Sequence, residues 1–454
     1  MRRLVALILA LVLWPALAGA QTIVHGVSPK GIRFALAPRP ANPLVTLSFA
    51  WRDGFGEARA GSEGLSSLAA AWHVAGPAGM TEAEFREELR DESIGLSLGA
   101  TGGHTLGSLI APPDRLDTAV DRMRAVLIEP ALGDATLRRF KRQRRLSIAQ
   151  GRETPATAAR TLALSMVAGN TPYLLEHIAP ARSPVADVER TDVEAWRKAV
   201  LARDNLVVAA AGPIAEPDLI RIIDRIFGDL PQRAAVPPKP DITLQRDTRT
   251  LVIERPVAQT TIVLAGGTSL DPADSDMGNR ASLANSVLSG GPASRLFRSI
   301  REELGATYGS SSQLVPLGNE AVAFLISSAV DHALAGKALA TLREGYERFH
   351  RDGVTEAEIA PLRARSVTGI EEGLTRSEVA WRLRGVMMRG RNPDEVTTLA
   401  QRVAAVTAEE VNAVINERLP PPPLATVIVA PSAEGFGADC VVRRDQPIEA
   451  CLEP

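Results

Sequence analysis

Residues 290–309 of this chain read GGPASRLFRSIREELGATYG. The two glycines that open the stretch permit a tight turn that side chains would block. The sequence after the turn predicts a helix from Arg295 to Leu304. Ser294 is its expected N-cap, and Gly305 is its expected left-handed stop.

Two side chains of this stretch, Arg301 and Tyr308, are candidates for binding a ligand. Leu296 and Ile300 form the apolar stripe of the helix, so Arg301 emerges from its last turns, while Tyr308 starts the strand just beyond. A guanidinium donates paired hydrogen bonds to carbonyl or carboxylate oxygens, and a tyrosine hydroxyl can donate another. The pair therefore predicts a peptide-binding cleft. The alternative is a solvated surface Arg301 beside a core Tyr308.

The rest of the chain reads as two similar halves. Strand, helix, strand pair and long helices follow one another in both. In the first half these are 44–51, 64–75, 94–100 with 105–110, and 134–150 with 155–169; in the second, 260–266, 277–288 and 306–315 with 320–329. Mixed strands and helices of this kind predict an α+β fold, with helices packed on a largely antiparallel sheet in each half.

Helix-start signals support the duplication. Capping boxes are predicted at Thr81 with Glu84, Thr191 with Glu194, Thr355 with Glu358 and Thr407 with Glu410. The boxes at 191 and 407 are separated by 216 residues, and the closing strands at 206 and 424 by 218. The proline run 420–423 is the expected cause of the two-residue slip.

The predicted organisation is a segment 1–20, a first domain 21–235, a linker 236–248, a second domain 249–432 and a tail 433–454. The linker assignment rests on Pro237, Pro238 and Pro240 among mixed charges. With 45% hydrophobic residues, the chain can bury cores of this size.

The stretch 290–309 resembles the signature of the second half of M16-family (pitrilysin/insulinase-like) zinc peptidases. The resemblance covers roughly residues 25–432, because the internal duplication also fits that family. It implies that this chain forms half of a clam-shaped chamber, and that Arg301 and Tyr308 grip the substrate backbone near a catalytic zinc.

The inverted zinc motif of that family, His-x-x-Glu-His, is absent. At the matching place the chain reads Gly64-Leu-Ser-Ser-Leu-Ala-Ala-Ala71, so the positions of the first His, the Glu and the second His hold Ser67, Ala70 and Ala71. The family's third ligand, a Glu, would fall near Ser147 or Gln150. No metal is therefore expected in this chain.

Other catalytic signals are missing as well. His73, His104 and the pair Glu176-His177 have no metal-ligand partner at helical spacing, and His73 is expected to be a partly buried histidine without a metal role. The chain has no G-x-S-x-G elbow, P-loop, G-x-G-x-x-G or C-x-x-C. Arg295 and Glu302 are assigned to structural support.

Residues 1–20 have the pattern of a secretory signal. Arg2 and Arg3 precede the apolar run 4–17, and Ala18-Gly-Ala20 resembles a cleavage site. We expect an exported, periplasmic protein without a membrane span. Removal of the segment leaves 49 basic and 53 acidic residues, which gives no electrostatic footprint for nucleic acid.

The two cysteines, Cys440 and Cys451, lie in the last fifteen residues. In an oxidising compartment the expected state is a disulfide that closes a small loop. A metal-binding pair and two free thiols are the alternatives.

The sequence thus favours a non-catalytic subunit of an exported heterodimeric M16-type zinc peptidase. A zinc-bearing M16 partner would carry the metal, and this chain would supply Arg301 and Tyr308 to bind peptide substrates. One alternative is a scaffold or peptide-binding protein with the M16 fold and no role in hydrolysis. Another is a homodimer that is active through an unrecognised metal site.

Overall fold

The computed structural model describes residues 22–53, 64–101, 103–169, 187–237, 242–303, 310–318 and 321–452. Within these ranges the chain forms two six-stranded sheets, one in each half, and both are packed with helices. Neighbouring strands are mostly antiparallel. The predicted α+β class is confirmed.

The first sheet has the strand order β1-β2-β6-β3-β5-β4. Its strands are β1 (Val24–Val27), β2 (Arg33–Pro38), β3 (Val45–Arg52), β4 (Gly95–Thr101), β5 (His104–Ala111) and β6 (Leu206–Gly212). Strands β2 and β6 are parallel, and the other neighbours are antiparallel. The strand pair predicted near residue 102 is the hairpin β4–β5.

The second sheet has the order β12-β7-β11-β8-β10-β9. Its strands are β7 (Thr250–Glu254), β8 (Thr260–Gly267), β9 (Ser310–Leu317), β10 (Ala321–Val330), β11 (Ala425–Ala430) and β12 (Cys440–Val442). Strands β7 and β11 are parallel, as β2 and β6 are in the first sheet. The predicted duplication therefore holds for five strands of each sheet. The remaining edge strands differ, because β1 is antiparallel to its neighbour β2 and β12 is parallel to its neighbour β7.

Helices follow the strands in a similar order in the two halves, although the first half also has an α-helix after the strand Leu206–Gly212, where the described part of the second half has none. The first half contains α1 (Leu65–His73), α2 (Glu82–Asp91), α3 (Leu116–Ile128), α4 (Asp134–Glu153), α5 (Pro155–Ala168), α6 (Arg190–Val200) and α7 (Glu216–Phe227). The second half contains α8 (Ser275–Ser289), α9 (Arg295–Arg298), α10 (Ala335–Asp352), α11 (Glu356–Thr375), α12 (Val379–Met388), α13 (Glu395–Ala404) and α14 (Ala408–Arg418).

Three of the four predicted capping boxes are present, those at Thr81, Thr355 and Thr407. The box predicted at Thr191 is wrong. Helix α6 begins earlier, because the carboxylate of Asp192 accepts from the backbone N–H of Glu189 at 2.8 Å and makes Glu189 the N-cap. The boxes at 189 and 407 are then 218 residues apart, the same separation as that of residues 206 and 424. The two separations are therefore equal, and no two-residue insertion at the proline run 420–423 has to be assumed.

The two halves interlock through helices that cross from one to the other. Helix α5 of the first half packs on the second sheet, where its Leu162 and Val167 join a core with Val263 and Val427. In return, α12 packs on the first sheet through Leu383 and its neighbours. The sheet face that receives α12 is lined by small side chains, which let the helix approach closely: Ala35, Ala37, Ala50, Ala209 and Ala211.

The opposite face of the first sheet carries the large side chains. Phe34, Leu36, Phe49 and Trp51 are buried there under helices of the first half. Since successive residues of a strand point to opposite faces, β2 separates Phe34 and Leu36 from Ala35 and Ala37 by simple alternation. Both faces of the sheet are therefore buried.

The tail after β11 belongs to the second sheet. Strand β12 pairs in parallel with β7, and Cys440 is bonded to Cys451 with their Cα atoms 6.0 Å apart. The disulfide fastens the chain end to the sheet edge. In the part of the chain that the structure describes, no helix has the length and apolar character needed to cross a membrane.

Candidate functional site

Helix α1 holds the three positions at which the zinc motif is lost. It starts after Gly64, whose φ of 80° lies in the left-handed region that favours glycine. Ser67 and Ala71 are one turn apart on a partly exposed face, whereas Ala70 is fully buried. The backbone therefore presents the two ligand positions to solvent together.

A pocket of about 310 Å³ lies between α1 and α4. From α1 it is lined by Ser67, Leu68 and Ala71, and from α4 by Phe140, Gln143, Arg144 and Ser147. Of the two positions expected for the third ligand, Ser147 lines the pocket, and Gln150 is not among its lining residues. Two segments that are distant in the sequence meet at one site.

The residues of this pocket do not fit zinc. Structural and catalytic zinc sites use imidazole, thiolate and carboxylate ligands. Here the three ligand positions offer two hydroxyls and a methyl group, from Ser67, Ser147 and Ala71. Among the described residues, no group of three or more His, Cys, Asp or Glu could hold a metal ion. The general-base position is also filled by a methyl group, that of Ala70.

His73 is a core residue rather than a partly buried one. Its ring is fully buried, its Nδ1 lies 2.7 Å from the carbonyl oxygen of Ala69, and it contacts Trp196 edge-on at 5.5 Å. Burial lowers its pKa to about 4, with the hydrogen bond to Ala69 opposing this shift and the nearby charge of Arg197 adding to it. His73 is therefore neutral at pH 7. Its Nε2 has no hydrogen-bond partner within the described chain.

A buried carboxylate nearby was not predicted from the sequence. Asp53 is 3% exposed, and its Oδ2 accepts from the Thr105 hydroxyl at 2.7 Å and from the Trp196 indole N–H at 2.9 Å. It ties the end of β3 to β5 and α6. The sequence gives no signal for this role, because an Asp followed by Gly at the end of a strand is typical of a turn.

Only one member of the predicted binding pair lies in the described residues. Arg301 is exposed in the turn Ser299–Glu303, with its guanidinium 5.6 Å from the ring centre of Phe297. Tyr308 and Gly305 belong to residues 304–309, which lie outside the described ranges. Arg301 is thus available to a ligand, and the pairing with Tyr308 stays a prediction.

The helix predicted over Arg295 to Leu304 is only partly correct. The α-helical pattern ends at Arg298 and continues as a π-helical turn over Ser299–Glu303, which keeps both Leu296 and Ile300 fully buried. Ser294 occupies the N-cap position, but its hydroxyl donates to the Gly291 carbonyl at 2.6 Å instead of accepting from the helix. Short π-helical turns are frequent at functional sites.

Arg295 anchors this segment to the next long helix. Its Nε and Nη2 donate to the two carboxylate oxygens of Glu358, each at 2.8 Å. This pairing and the bonds from Thr355 lower the pKa of Glu358 to about 2. The arrangement fixes the start of α11 against α9 and positions the turn that carries Arg301.

Comparisons with known proteins agree with this fold. The family described as Peptidase M16 inactive domain matches residues 187–365. An "Uncharacterized zinc protease" of Mycobacterium tuberculosis is 27% identical over 280 residues, which cover 60% of this chain and 62% of that protein. The chain therefore spans less than two thirds of the length of this relative.

Two solved structures extend the likeness over nearly the whole chain. A peptidase M16 inactive domain from Pseudomonas fluorescens superposes with a TM-score of 0.80 at 20% identity, covering 91% of this chain and 99% of that one. The periplasmic protease PqqL from Escherichia coli gives 0.77 at 15% identity, covering 91% of this chain and 46% of that one. The expected resemblance is confirmed: residues 187–365 match the inactive-domain model of the M16 peptidase family, and the fold over 91% of the chain is that of a solved M16 inactive domain.

Proposed function

We propose that this chain is a non-catalytic subunit of an exported heterodimeric M16-type zinc metallopeptidase. In this proposal a partner subunit carries the zinc, and Arg301 and Tyr308 bind the peptide substrate beside it. The observation that carries the proposal is a complementary loss. The pocket at Ser67, Ala71 and Ser147 lacks side chains that bind zinc. Arg301, in contrast, is present and exposed within the stretch 290–309 that resembles the family signature.

The length of one solved structure is consistent with a chamber of two such units. The unit formed by this chain corresponds to 46% of the Escherichia coli protease chain, so that chain is about twice as long as the matched unit. In the proposal, the second unit of the chamber comes from the partner chain. The intact backbone of α1 and α4 is consistent with a unit that has kept its shape and lost its metal chemistry.

The chemistry of Arg301 suits a substrate-binding role. Its guanidinium can donate two parallel hydrogen bonds to a peptide carbonyl or carboxylate. Beside a zinc site, such a donor also stabilises the oxyanion that forms during peptide hydrolysis. In the proposal Tyr308 adds a hydroxyl donor and a ring that packs on the peptide.

Export to the periplasm is part of the same proposal. It rests on the basic, apolar and small-residue pattern of residues 1–20 and on the disulfide between Cys440 and Cys451, since disulfides persist in oxidising compartments. Cell fractionation with detection of the processed chain tests this point separately.

The experiment starts with co-purification from the native host and mass identification of the bound chain. The two purified chains are then mixed and assayed for cleavage of a quenched fluorescent peptide. We expect Arg301→Ala to lower kcat/KM of the mixture on the order of a hundredfold, and Tyr308→Phe to lower it less. Arg298→Ala is the matched control, because Arg298 is an exposed arginine on the same segment.

Each other outcome points to a different function. Wild-type activity of the Arg301→Ala mixture contradicts the substrate-binding role. A bound chain that lacks zinc ligands, with peptide binding but no cleavage, favours a scaffold or peptide-binding protein; the open pocket between α1 and α4 is the feature that fits this alternative. Stoichiometric zinc in the isolated chain would favour the homodimeric enzyme.

A further inference from the structure

One face of α4 carries a row of basic side chains that have no role in the proposed peptidase function. Arg138, Lys141, Arg142 and Arg145 follow the spacing i, i+3, i+4, i+7 and therefore lie on one side of the helix. The three arginines are exposed, and Lys141 is half-buried. These four residues are called the α4 basic face.

The α4 basic face is not neutralised within the described chain. None of its four members forms an ion pair with another described residue, although the neighbouring Arg139 pairs with Glu82. Like charges four residues apart on a helix repel each other, and the face contains two such pairs, Arg138 with Arg142 and Lys141 with Arg145. The charges therefore oppose helix formation instead of supporting it.

The second half of the chain provides an internal comparison. Helix α11 is the counterpart of α4, with the buried positions Leu137 and Ile148 matched by Ile359 and Ile370. Both helices have 20 residues and follow the same order of elements. A requirement of the fold should therefore appear in both.

The basic face does not appear in α11. The four equivalent positions hold Ala360, Arg363, Ala364 and Val367. The one arginine among them, Arg363, is bound to Glu356 at 2.7 Å and to the carbonyl oxygen of Val406 at 2.6 Å. Four cations at these positions are thus a property of the first half alone, and packing does not explain them.

We propose that the α4 basic face is a docking surface for an acidic polypeptide segment rich in Asp and Glu. Guanidinium groups bind carboxylates in a planar, two-pronged geometry, and three of the four cations are arginines. Leu146, which is 55% exposed, lies on the same helix one turn after Arg142 and adds an apolar contact. An acidic segment with interspersed apolar residues matches this chemistry.

The surroundings of α4 favour a polypeptide over a membrane or nucleic acid. A helix that lies on a membrane inserts an apolar face. In α4, Leu137 and Ile148 are instead buried within the protein, and the single exposed Leu146 does not form such a face. The full chain has a net charge of −2, so a nucleic acid would meet one basic helix on an acidic protein.

The test measures binding to the purified mature chain without any partner, so its result is separate from that of the proposed function. The probe is a fluorescently labelled peptide with alternating Glu and Leu, followed by anisotropy at low and high salt. We expect the combined variant Arg138→Gln, Arg142→Gln, Arg145→Gln to bind about tenfold more weakly. Binding by the unmodified chain should weaken as salt rises.

The matched control removes three exposed arginines that form ion pairs elsewhere on the surface. The variant Arg221→Gln, Arg348→Gln, Arg351→Gln takes away the same charge but only arginines paired with Asp218, Glu344 and Asp352. It should bind the peptide like the unmodified chain. Circular dichroism checks that both variants are folded.

Three results would overturn the proposal. The first is equal loss of binding in the control variant, which means that only net charge matters. The second is undiminished binding of a peptide in which Gln replaces Glu. The third is tighter binding to phosphatidylglycerol vesicles or to duplex DNA than to the Glu peptide at the same concentration of negative charge.

Discussion

Ser67 of α1 and Ser147 of α4 line one pocket, although 80 residues separate them in the chain. In the M16 resemblance, these two positions belong to a zinc ligand on one helix and a zinc ligand on another. The two helices thus bring the expected ligand positions to one pocket. Substituting metal-binding side chains there tests whether the backbone of α1 and α4 suits a zinc ion.

We predict that zinc binding can be restored by Ser67→His, Ala71→His and Ser147→Glu together. The two imidazoles would lie one turn apart, with the carboxylate on the opposite wall of a pocket of about 310 Å³. Metal analysis after dialysis should find about one zinc per chain. Because Ala70 remains, the variant should bind zinc without hydrolysing peptides.

The control for this graft is Ser67→His with Ser147→Glu alone, which leaves the methyl group of Ala71 in place. It should lose most of the zinc under the same dialysis. If the triple variant is folded and binds no more zinc than the unmodified chain, then α1 and α4 do not present the ligand positions as described.

His73 makes the stability of the first half depend on pH. Its pKa is about 4 in the folded protein and 6.5 in its ordinary state, so the unfolded chain takes up a proton first as pH falls. The stabilisation that neutral, buried His73 gives to the folded protein is fully present above about pH 6.5 and is lost as pH falls from there to about 4. The unfolding free energy should fall by about 3 kcal/mol over this window from His73 alone.

Comparison with His73→Leu isolates this effect. Urea unfolding at pH 7 and at pH 4 should show a smaller loss of stability for the variant than for the unmodified chain. The exposed His25 supplies the control, and His25→Gln should keep the full pH dependence. Parallel pH profiles for the unmodified chain and His73→Leu would contradict the burial of this ring.

The pairing of Arg295 with Glu358 should stabilise the second half. Its two 2.8 Å bonds are partly shielded from solvent, and Glu358→Gln removes the charge with little change of shape. We expect a loss of about 1–2 kcal/mol in the unfolding free energy at pH 7. The pKa of Glu358 is about 2, below its ordinary 4.5, so the loss should be full above pH 4.5 and shrink as pH falls toward 2.

Glu344→Gln is the matched control for this prediction. Glu344 pairs with Arg348 on the exposed surface of one helix. Pairs of this kind contribute about 0.3–0.5 kcal/mol, so urea unfolding should barely change. Equal effects of the two substitutions would mean that the pair at Arg295 is no more than a surface contact.

Local patterns predicted the local structure well. The strand predicted over residues 44–51 and the helix predicted over residues 134–150 became β3 and α4, because both predictions rest on a periodicity that packing preserves. The start of α6 was misplaced because two acidic residues, Glu189 and Asp192, formed a capping box ahead of the Thr191 pattern. Competing capping residues within one turn cannot be ranked from sequence alone.

Contacts between distant segments were not predictable in the same way. Helix α5 is buried around most of its surface, but its sequence does not say that the second sheet covers it. For the site, the resemblance located Ser67 and Ala71, and it left the third position open between Ser147 and Gln150 until the pocket showed Ser147 beside them. It gave no hint of Asp53, whose partners Thr105 and Trp196 lie on other elements.

The disulfide between Cys440 and Cys451 should stabilise the edge of the second sheet. It closes a loop with a sequence separation of 11 and holds β12 beside β7. Loop-closure entropy for a loop of this size predicts a loss of about 3 kcal/mol in the unfolding free energy when the bond is absent. Urea unfolding with and without a reductant measures the loss. The variant Cys440→Ser, Cys451→Ser should match the reduced chain and should not respond to the reductant. A reductant effect in that variant, or none in the unmodified chain, would contradict the stabilising role of this bond.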